Sequence, residues 1–546
     1  MDYHKLSEML YPKVTETPES LEARFPRRNL PEGAKVTRFA PSPTGFVHMG
    51  ALFPCTVSSI LAKESGGVFY LRIEDTDDKR AVEGGVEEII ATLSDYGISF
   101  DEGPSQGGGY GPYSQRARVE FYHAYAKNLV SRGLAYPCFC SEEELTHMRS
   151  DQEAQKTNYG YYGGWAICRD LSFDSIAERL LSGASYVLRL RASHESGQDA
   201  GTKSKSEPDI GSNIMFDDPA KGRIEMPPND IDHVLLKSDG VPTYHFAHAV
   251  DDHLMGTTHV VRGDEWIATY PLHHMLFDLL GFKRPKYIHL APLMKTDGGG
   301  KRKLSKRKDP ECALSWYAGQ GYPVQTVQEY IMTLLNSNFE DWRRANPTAG
   351  LRDFPFSPKK MNAAGALFDL QKLDDVSKNV VSRMTAEEVY TELTAWAERF
   401  DPAFFTCLTR DPAYTVKTLS IGRGGNKPRK DFGRWGEAKE YLSFFFDELF
   451  TPAAPPDPAF CKAYAEGYDP GGSQEEWFAS VKALGERHGY CPDVKQYKSD
   501  PADWKGSVAD ASASLRLAVT GRENSPDLYQ VMQILGQERV IGRLKA

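Results

Sequence analysis

Two segments far apart in the chain have the residue types and spacing to handle phosphate. In the first, Arg38-Phe39-Ala40-Pro41-Ser42-Pro43-Thr44-Gly45-Phe46-Val47-His48-Met49-Gly50, a short β-prone stretch gives way to a Pro/Gly turn. His48 and Gly50 then fall where a helix should open. The first N–H groups of a helix have no partner within it and carry the positive end of its dipole, so a bare backbone there suits an anion. In the second, Lys303, Lys306, Arg307 and Lys308 surround Ser305, beside the glycine run Gly298-Gly299-Gly300. Cations on a mobile loop can follow charge as it moves in phosphoryl or nucleotidyl transfer; the plainer alternative is a solvated basic loop. A third set, Arg38, Glu74, Tyr244 and Arg262, offers one carboxylate, two guanidinium groups and a phenol. It complements a ligand with one ammonium and two carboxylates, because a planar guanidinium bonds both oxygens of a carboxylate. Taken alone, each arginine would sooner be read as the partner of a structural Asp or Glu.

To bring these residues together the chain must end several strands at one place. Val36 to Ala40 is a short β run, Leu52 to Lys63 is helix-like, Val68 to Ile73 is a continuous apolar run, and Val86 to Tyr96 is helix-like again. The Gly/Pro-rich stretch Asp101 to Tyr113 interrupts, and Gln115 to Arg132 reads as a further helix. The alternation resumes with His233 to Lys237, a Ser238-Asp239-Gly240 turn, a helix from Tyr244 to Met255, a strand at His259 to Arg262, a helix from Glu265 to Leu280 and a strand at Tyr287 to Leu290. Strands alternating with helices predict a doubly wound parallel α/β sheet of the Rossmann type, which binds ligands at the carboxyl ends of its strands. Residues 135–225 break the pattern and carry Cys138-Phe139-Cys140 and Cys168-Arg169-Asp170, so they read as an inserted domain. From Val324 onward helical periods dominate, as in Ala386 to Phe400 and Glu437 to Phe450, and Thr451 to Pro458 is a Pro/Ala-rich linker.

At 546 residues, with 40% hydrophobic and 26% charged residues, the chain has soluble multidomain composition. No apolar run reaches membrane length and the N-terminus lacks a signal-peptide layout, so the expected compartment is the cytoplasm. Eight cysteines suggest reduced thiols or a metal site rather than a disulfide framework. A net charge of −10 argues against non-specific coating of nucleic acid, but RNA binding needs only a local basic surface. One candidate runs through Arg423, Lys427, Arg429, Lys430 and Arg434; an RNA contact and a solvated loop are equally open readings of it.

In this order the two phosphate-type segments resemble the HIGH and KMSKS elements of class I aminoacyl-tRNA synthetases. Leu71-Arg72-Ile73-Glu74-Asp75-Thr76-Asp77, Pro242-Thr243-Tyr244-His245-Phe246-Ala247, Val250-Asp251-Asp252-His253-Leu254-Met255-Gly256 and Arg262-Gly263-Asp264-Glu265-Trp266 resemble glutamyl- and glutaminyl-tRNA synthetases. The resemblance, densest over 36–135 and 226–310, is to the glutamyl-tRNA synthetases of bacterial type. It implies activation of L-glutamate with ATP and Mg²⁺, then transfer to the terminal adenosine of tRNA(Glu). By resemblance Arg38, Ala40, Ser42, Glu74, Tyr244 and Arg262 contact glutamate, where relatives often carry Asn in place of His248. His48, Gly50, Glu265, Met294, Lys303, Ser305 and Lys306 hold ATP, with Met294 at the adenine by backbone contacts. His48 and Lys306 serve the chemistry; Ala51 stands where the second His of the HIGH pattern would be. The layout implied is an extension (1–34), the catalytic domain (35–134 and 226–310), an inserted acceptor-end domain (135–225), a stem-contact helical domain (311–385) and a helical anticodon-binding region (386–546). Monomeric state is the family default. Some relatives hold zinc in the insertion; here Cys138, Cys140 and Cys168, closed by Asp170 or a tyrosine such as Tyr162, would make a complete site. Cysteines kept only for packing are the other reading. Charging of tRNA(Gln) as well is left open. A small-molecule adenylyltransferase would need no helical tail, and a non-catalytic RNA-binding paralogue should have lost His48 or Lys306. A glutamyl-queuosine enzyme would be shorter, and a glutaminyl enzyme should end in β-barrels.

Overall fold

In the computed structural model the described residues are 1–43, 47–77, 82–192, 213–305, 307–425 and 427–546. They divide into two compact units: Met1–Leu314 with Ile331–Glu340 and Phe354–Phe368, and Ser315–Tyr330 with Asp341–Asp353 and Asp369–Ala546. The first mixes strands and helices; the second is mainly helical.

The first unit opens with two capped helices, α1 (Tyr3–Leu10) behind Asp2 and α2 (Pro18–Arg24) behind Thr17. β1 (Val36–Phe39) then pairs in parallel with β2 (Val68–Leu71), Val36 opposite Val68, and α3 (Met49–Glu64) makes the crossover. β1 is buried at all four positions, as a strand covered on both faces must be. α4 (Gly85–Asp95) and α5 (Val119–Ser131) follow. β3 (Ala135–Cys138), α6 (Glu142–Ala154), α7 (Phe173–Leu181) and β4 (Val187–Leu190) come next, then the antiparallel hairpin of β5 (Ile214–Asp218) and β6 (Gly222–Met226). β7 (Val234–Leu236) leads to α8 (Tyr244–Leu254). β8 (His259–Gly263), a 3₁₀ segment over Asp264–Thr269, α9 (Tyr270–Leu280) and β9 (Lys286–Leu290) form a second parallel unit, Val260 opposite Tyr287. Reciprocal bonds join the two parallel pairs: Val36 N–H donates to Thr258 Oγ1 at 2.8 Å, and Thr258 N–H to the Val36 carbonyl at 2.9 Å.

Two expectations change. Val234–Leu236 does not resume the parallel sheet: β7 pairs antiparallel with β4, which pairs with β3, so this strand belongs with the inserted segment's sheet. The glycine run, expected as a loop flank, is built into a hairpin. Gly298 and Gly299, at φ +56° and +88°, make the tight turn between β10 (Met294–Asp297) and β11 (Gly300–Lys303). A two-residue turn with both φ positive favours glycine and matches the twist of the strands it joins.

In the second unit Ala386–Phe400 is a helix as expected, opened by a capping box in which Thr385 and Glu388 satisfy each other's backbone N–H. Ser473 with Glu476, and Ser507 with Asp510, do the same for Gln474–Arg487 and Val508–Thr520. The apolar stripes of these helices meet in one core that includes Val389, Leu393, Phe404, Val481, Leu515, Val519 and Val531. No helix among the described residues is long and apolar enough to cross a membrane.

Candidate active site

The ends of β1, β2 and β8, the start of α3 and the start of α8 line a cleft of about 540 Å³ in the first unit. Ten of the expected ligand-binding residues line it: Arg38, Ala40, Ser42, His48, Gly50, Glu74, Tyr244, Arg262, Glu265 and Lys303. Lys306 lies outside the described residues, as do Thr44 to Phe46 of the first motif.

Arg38 and Glu74 stand on a buried lattice of charge. Asp252 takes a 2.6 Å bond from Arg72 Nη1, lies 3.4 Å from Arg38 Nε and 3.0 Å from His248 Nδ1, and is fully enclosed. Burial alone would favour its neutral acid, but Arg38, Arg72 and His248 hold it well below the usual carboxylate range. Its neighbour Asp251 accepts from Arg118 Nε at 2.7 Å, Gln115 Nε2 at 2.9 Å and Tyr122 Oη at 2.8 Å. Arg72 also reaches Glu74 Oε1 at 3.3 Å. Burial pushes the Glu74 carboxyl up, against the pull of Arg72 and Arg38. An arriving ammonium would relieve that burial cost. His248 donates to or accepts from Tyr287 Oη at 2.9 Å, and burial pushes it down to about 4 against the pull of Asp252. Tyr244 is the first residue of α8 and packs its ring on Trp266, centroids 4.6 Å apart. Sequence reasoning quoted Arg72, Asp251 and Asp252 only as parts of motifs. Nothing in a sequence marks which charges are buried, because that depends on partners far along the chain.

His48 is the N-cap of α3, and its Nδ1 accepts from Ala51 N–H at 3.1 Å. In the neutral ring the proton therefore sits on Nε2. Gly50 has a spatial reason to be glycine: a Cβ there would meet His48 Nδ1 at 3.1 Å. A Cβ at Gly263 would lie 2.2 Å from Glu265 Oε2, the end of a half-exposed side chain that would have to swing aside. Glu265 and Lys303 face each other at 3.6 Å, both half-exposed. Two residues of the expected ATP set are placed differently. Met294 does not line the cleft; its N–H donates to Ala366 O at 2.9 Å and its carbonyl accepts from Phe368 N–H at 2.7 Å. Ala291, Pro292 and Leu293, immediately before it, line the cleft. Ser305 is not among the residues lining the cleft either: its N–H donates to Asp309 Oδ2 at 2.8 Å and its Oγ accepts from Arg307 N–H at 3.4 Å. Asp309 further holds both terminal nitrogens of Arg302, at 2.6 and 2.8 Å, tying the basic loop to its hairpin.

Residues 35–343 match the family model of class I tRNA synthetases (E and Q), catalytic domain, and 507–546 match an anticodon binding domain. Over the whole of both chains the sequence is 48% identical to the glutamate–tRNA ligase of Acetivibrio thermocellus and 44% identical to that of Clostridium perfringens. The chain belongs to the glutamate–tRNA ligases, within the class I aminoacyl-tRNA synthetases. A solved glutamate tRNA ligase from Elizabethkingia meningosepticum, in complex with its amino acid, superposes with a TM-score of 0.74 at 26% identity. It covers 93% of this chain and 98% of its own.

In this ligase the three expected metal ligands do converge. The thiols of Cys138, Cys140 and Cys168 lie within 4.8 Å of one another, Cys140 Sγ to Cys168 Sγ being 3.6 Å. The tyrosine beside the thiols is Tyr161 rather than Tyr162. Asp170 is exposed and paired with Arg191 at 3.0 Å, and Tyr162 Oη donates to Asn158 O at 2.7 Å. Tyr161 Oη instead sits 3.4 Å from Cys138 Sγ and 3.3 Å from Cys140 Sγ. Zinc in structural sites takes cysteine thiolates, and this cluster of three thiols could hold it. The Cys138 thiol is held below its ordinary value by hydrogen bonds with Cys140 and Cys168.

The basic run of the second unit is less available than its sequence implies. Arg423 donates to the carbonyls of Val381, Met384 and Leu419, Arg429 pairs with Asp431 at 2.6 Å, and Arg434 pairs with Glu437 at 2.6 Å. Lys427 and Lys430 remain exposed. Sequence reasoning missed a cleft of about 730 Å³ in this unit, lined by Arg429, Trp477, Phe478, Ser512, Arg516 and Leu528 among others. Among the described residues, Trp477 Nε1, Ser512 Oγ and Arg516 Nε are buried there without a hydrogen-bond partner. Trp477 comes from the helix Gln474–Arg487, and Ser512 and Arg516 from Val508–Thr520, so no single local motif announces all three.

Proposed function

We propose that the cleft of the first unit binds L-glutamate and ATP, as its Mg²⁺ complex, side by side, forms glutamyl-adenylate and passes the glutamyl group to the terminal adenosine of tRNA(Glu). One observation carries the reading: Arg38, Glu74, Tyr244 and Arg262, from four separate elements, line one cavity with His48, Gly50, Glu265 and Lys303. Glu74, with its carboxyl destabilised by burial, is the acceptor for the glutamate ammonium. Arg38 and Arg262 take its carboxylates, and Ala40 and Ser42 form the wall between them. The α3 N-terminus at Gly50 and the Nε2–H of His48 meet the phosphates, Glu265 the ribose, and Lys303 with Lys306 the charge that develops on pyrophosphate. Catalysis on this reading is positioning and charge stabilisation, with no protein nucleophile.

The catalytic part corresponds to 35–134 and 226–310 in a doubly wound sheet, the insertion to acceptor-end binding, and the C-terminal region to anticodon binding. The cleft around Trp477 and Arg516, with aromatic faces and unpaired donors, is suited to an unstacked base. Lys427 and Lys430 would meet phosphates. Zinc, held by Cys138, Cys140 and Cys168, would brace the insertion without entering the reaction. A monomer in the cytoplasm completes the reading. ATP–pyrophosphate exchange dependent on glutamate, measured with and without tRNA(Glu), tests the activity; exchange with no preference for glutamate over glutamine would overturn the assignment of the two arginines. Zinc determination on the purified protein, for wild type and Cys140→Ser, tests the metal site.

A further inference from the structure

Arg262 is held in an unusual way for a buried arginine. Only 6% of its surface is exposed, yet among the described residues no carboxylate pairs with it. Its Nε donates to His289 Nε2 at 3.0 Å, one terminal nitrogen meets His273 Nδ1 at 3.1 Å, and the other donates to the Trp266 carbonyl at 3.3 Å. The Tyr287 ring lies 4.5 Å from the guanidinium carbon. A guanidinium has five N–H donors and no lone pair to offer, so both ring nitrogens facing it must accept. That fixes two tautomers. His289 carries its proton on Nδ1 and donates to Asp218 Oδ2 at 2.8 Å; His273 carries its proton on Nε2 and donates to His245 Nδ1 at 3.0 Å. Asp218, at the end of β5, is itself 2% exposed and accepts from the backbone N–H groups of His289, Ala220 and Lys221. Phe216 of the same strand stacks on Tyr270 at 3.7 Å, seating the β5–β6 hairpin against α9.

A carboxylate partner would also fix Arg262, but it would neutralise the charge and compete with an incoming anion. Neutral imidazoles fix the direction of the fork and leave its charge unspent. Three of the five donors are engaged, and the two left lie on a residue that lines the cleft. We propose that His289, His273 and Asp218 are positioning residues for Arg262: two neutral imidazoles accept from the guanidinium, Asp218 fixes one of them, and the remaining N–H groups are kept for a carboxylate of the amino-acid substrate. The inference rests on the reading that Arg262 binds glutamate. Burial supports the arrangement by holding His273 and His289 below the ordinary histidine value, so both stay neutral acceptors near pH 7.

Steady-state kinetics on the full-length enzyme test it. His289→Leu and His273→Leu should each raise the glutamate KM about tenfold, the cost of a hydrogen bond to a charged group, with the ATP KM and kcat within about threefold of wild type. His289→Gln, which places an amide oxygen where Nε2 stood, and His273→Asn, which places one where Nδ1 stood, should recover most of that loss. Asp218→Asn should give a smaller rise in the same constant. In an Arg262→Ala background none of these changes should add to the glutamate KM already lost. An unchanged glutamate KM in Arg262→Ala itself would overturn the binding reading. A raised KM in Arg262→Ala, with Leu variants that match wild type, that lower kcat and all affinities together, or that Gln and Asn do not rescue, would overturn the positioning role alone. Where a Leu variant does not fold, Asp218→Asn and the double variants decide.

Discussion

The two units bury different things. The first encloses Arg38, Arg72, Arg118, Asp251 and Asp252 in a single lattice at 5% exposure or less. The second encloses Leu393, Phe404, Leu515, Val519 and Val531, and leaves pairs such as Arg410 with Glu448 and Arg522 with Glu440 near its surface. Buried ions are costly to desolvate, and replacing a pair by apolar residues is often neutral or stabilising. Charges enclosed beside a cleft are therefore better understood as placing Arg38 and Glu74 than as holding the fold. An apolar core carries no such constraint on direction, and only volume has to be matched.

The largest effect expected is on stability. Asp252→Ala removes the carboxylate shared by Arg38, Arg72 and His248 and takes from the buried Arg38 its carboxylate partner, so it should cost roughly 3–5 kcal/mol in urea unfolding. Leu393→Ala in the second unit should cost about 2–5 kcal/mol through the cavity it leaves. The contrast lies in function: glutamate affinity of still-folded protein should fall only with Asp252→Ala, and equal effects on both assays would erase the distinction between the units.

Next comes chemistry. Lys306→Ala should slow glutamyl-adenylate formation by on the order of 10²–10³ with little change in glutamate binding, as for loss of one preorganised donor. Transfer from preformed adenylate should suffer less. Single-turnover assays separate the two steps, and near-normal activation would return this run to a solvated basic loop.

Acid should then divide the units. Burial lowers His245 and His248 to about 4, below the ordinary value near 6.5. Between those values the unfolded chain binds more protons than the folded one, so stability is present above about pH 6.5 and is lost as pH falls toward 4. The second unit holds one histidine, His488. Tryptophan and circular-dichroism melts from pH 7 to 4.5 should show a transition moving steeply and another moving little; two transitions moving together would remove the histidines as the cause.

The smallest effect belongs to the basic run. Lys427→Ala with Lys430→Ala should raise the KM for tRNA(Glu) a few-fold and lower its salt slope by about one for each phosphate no longer neutralised. Arg429→Ala should do less, because Asp431 already neutralises that guanidinium. A larger effect from Arg429 than from the lysines would mean that the internal pair opens for RNA.

What the sequence determined by itself was local. The crossover from β1 through α3 to β2, the capping-box helix at Ala386–Phe400 and the residues ringing the cleft could be read from motif and period, because hydrophobic spacing and turn chemistry act within a few residues. Tertiary structure decided which charges meet. It turned β7 to pair with β4 and brought Tyr161 rather than Asp170 to the thiols. It also spent Met294's N–H on Ala366 and three arginines of the basic run on internal partners. Each of these depends on a donor finding an acceptor that is distant in the chain. A side chain's type states what it can bond, and only the fold states what is left for it to bond.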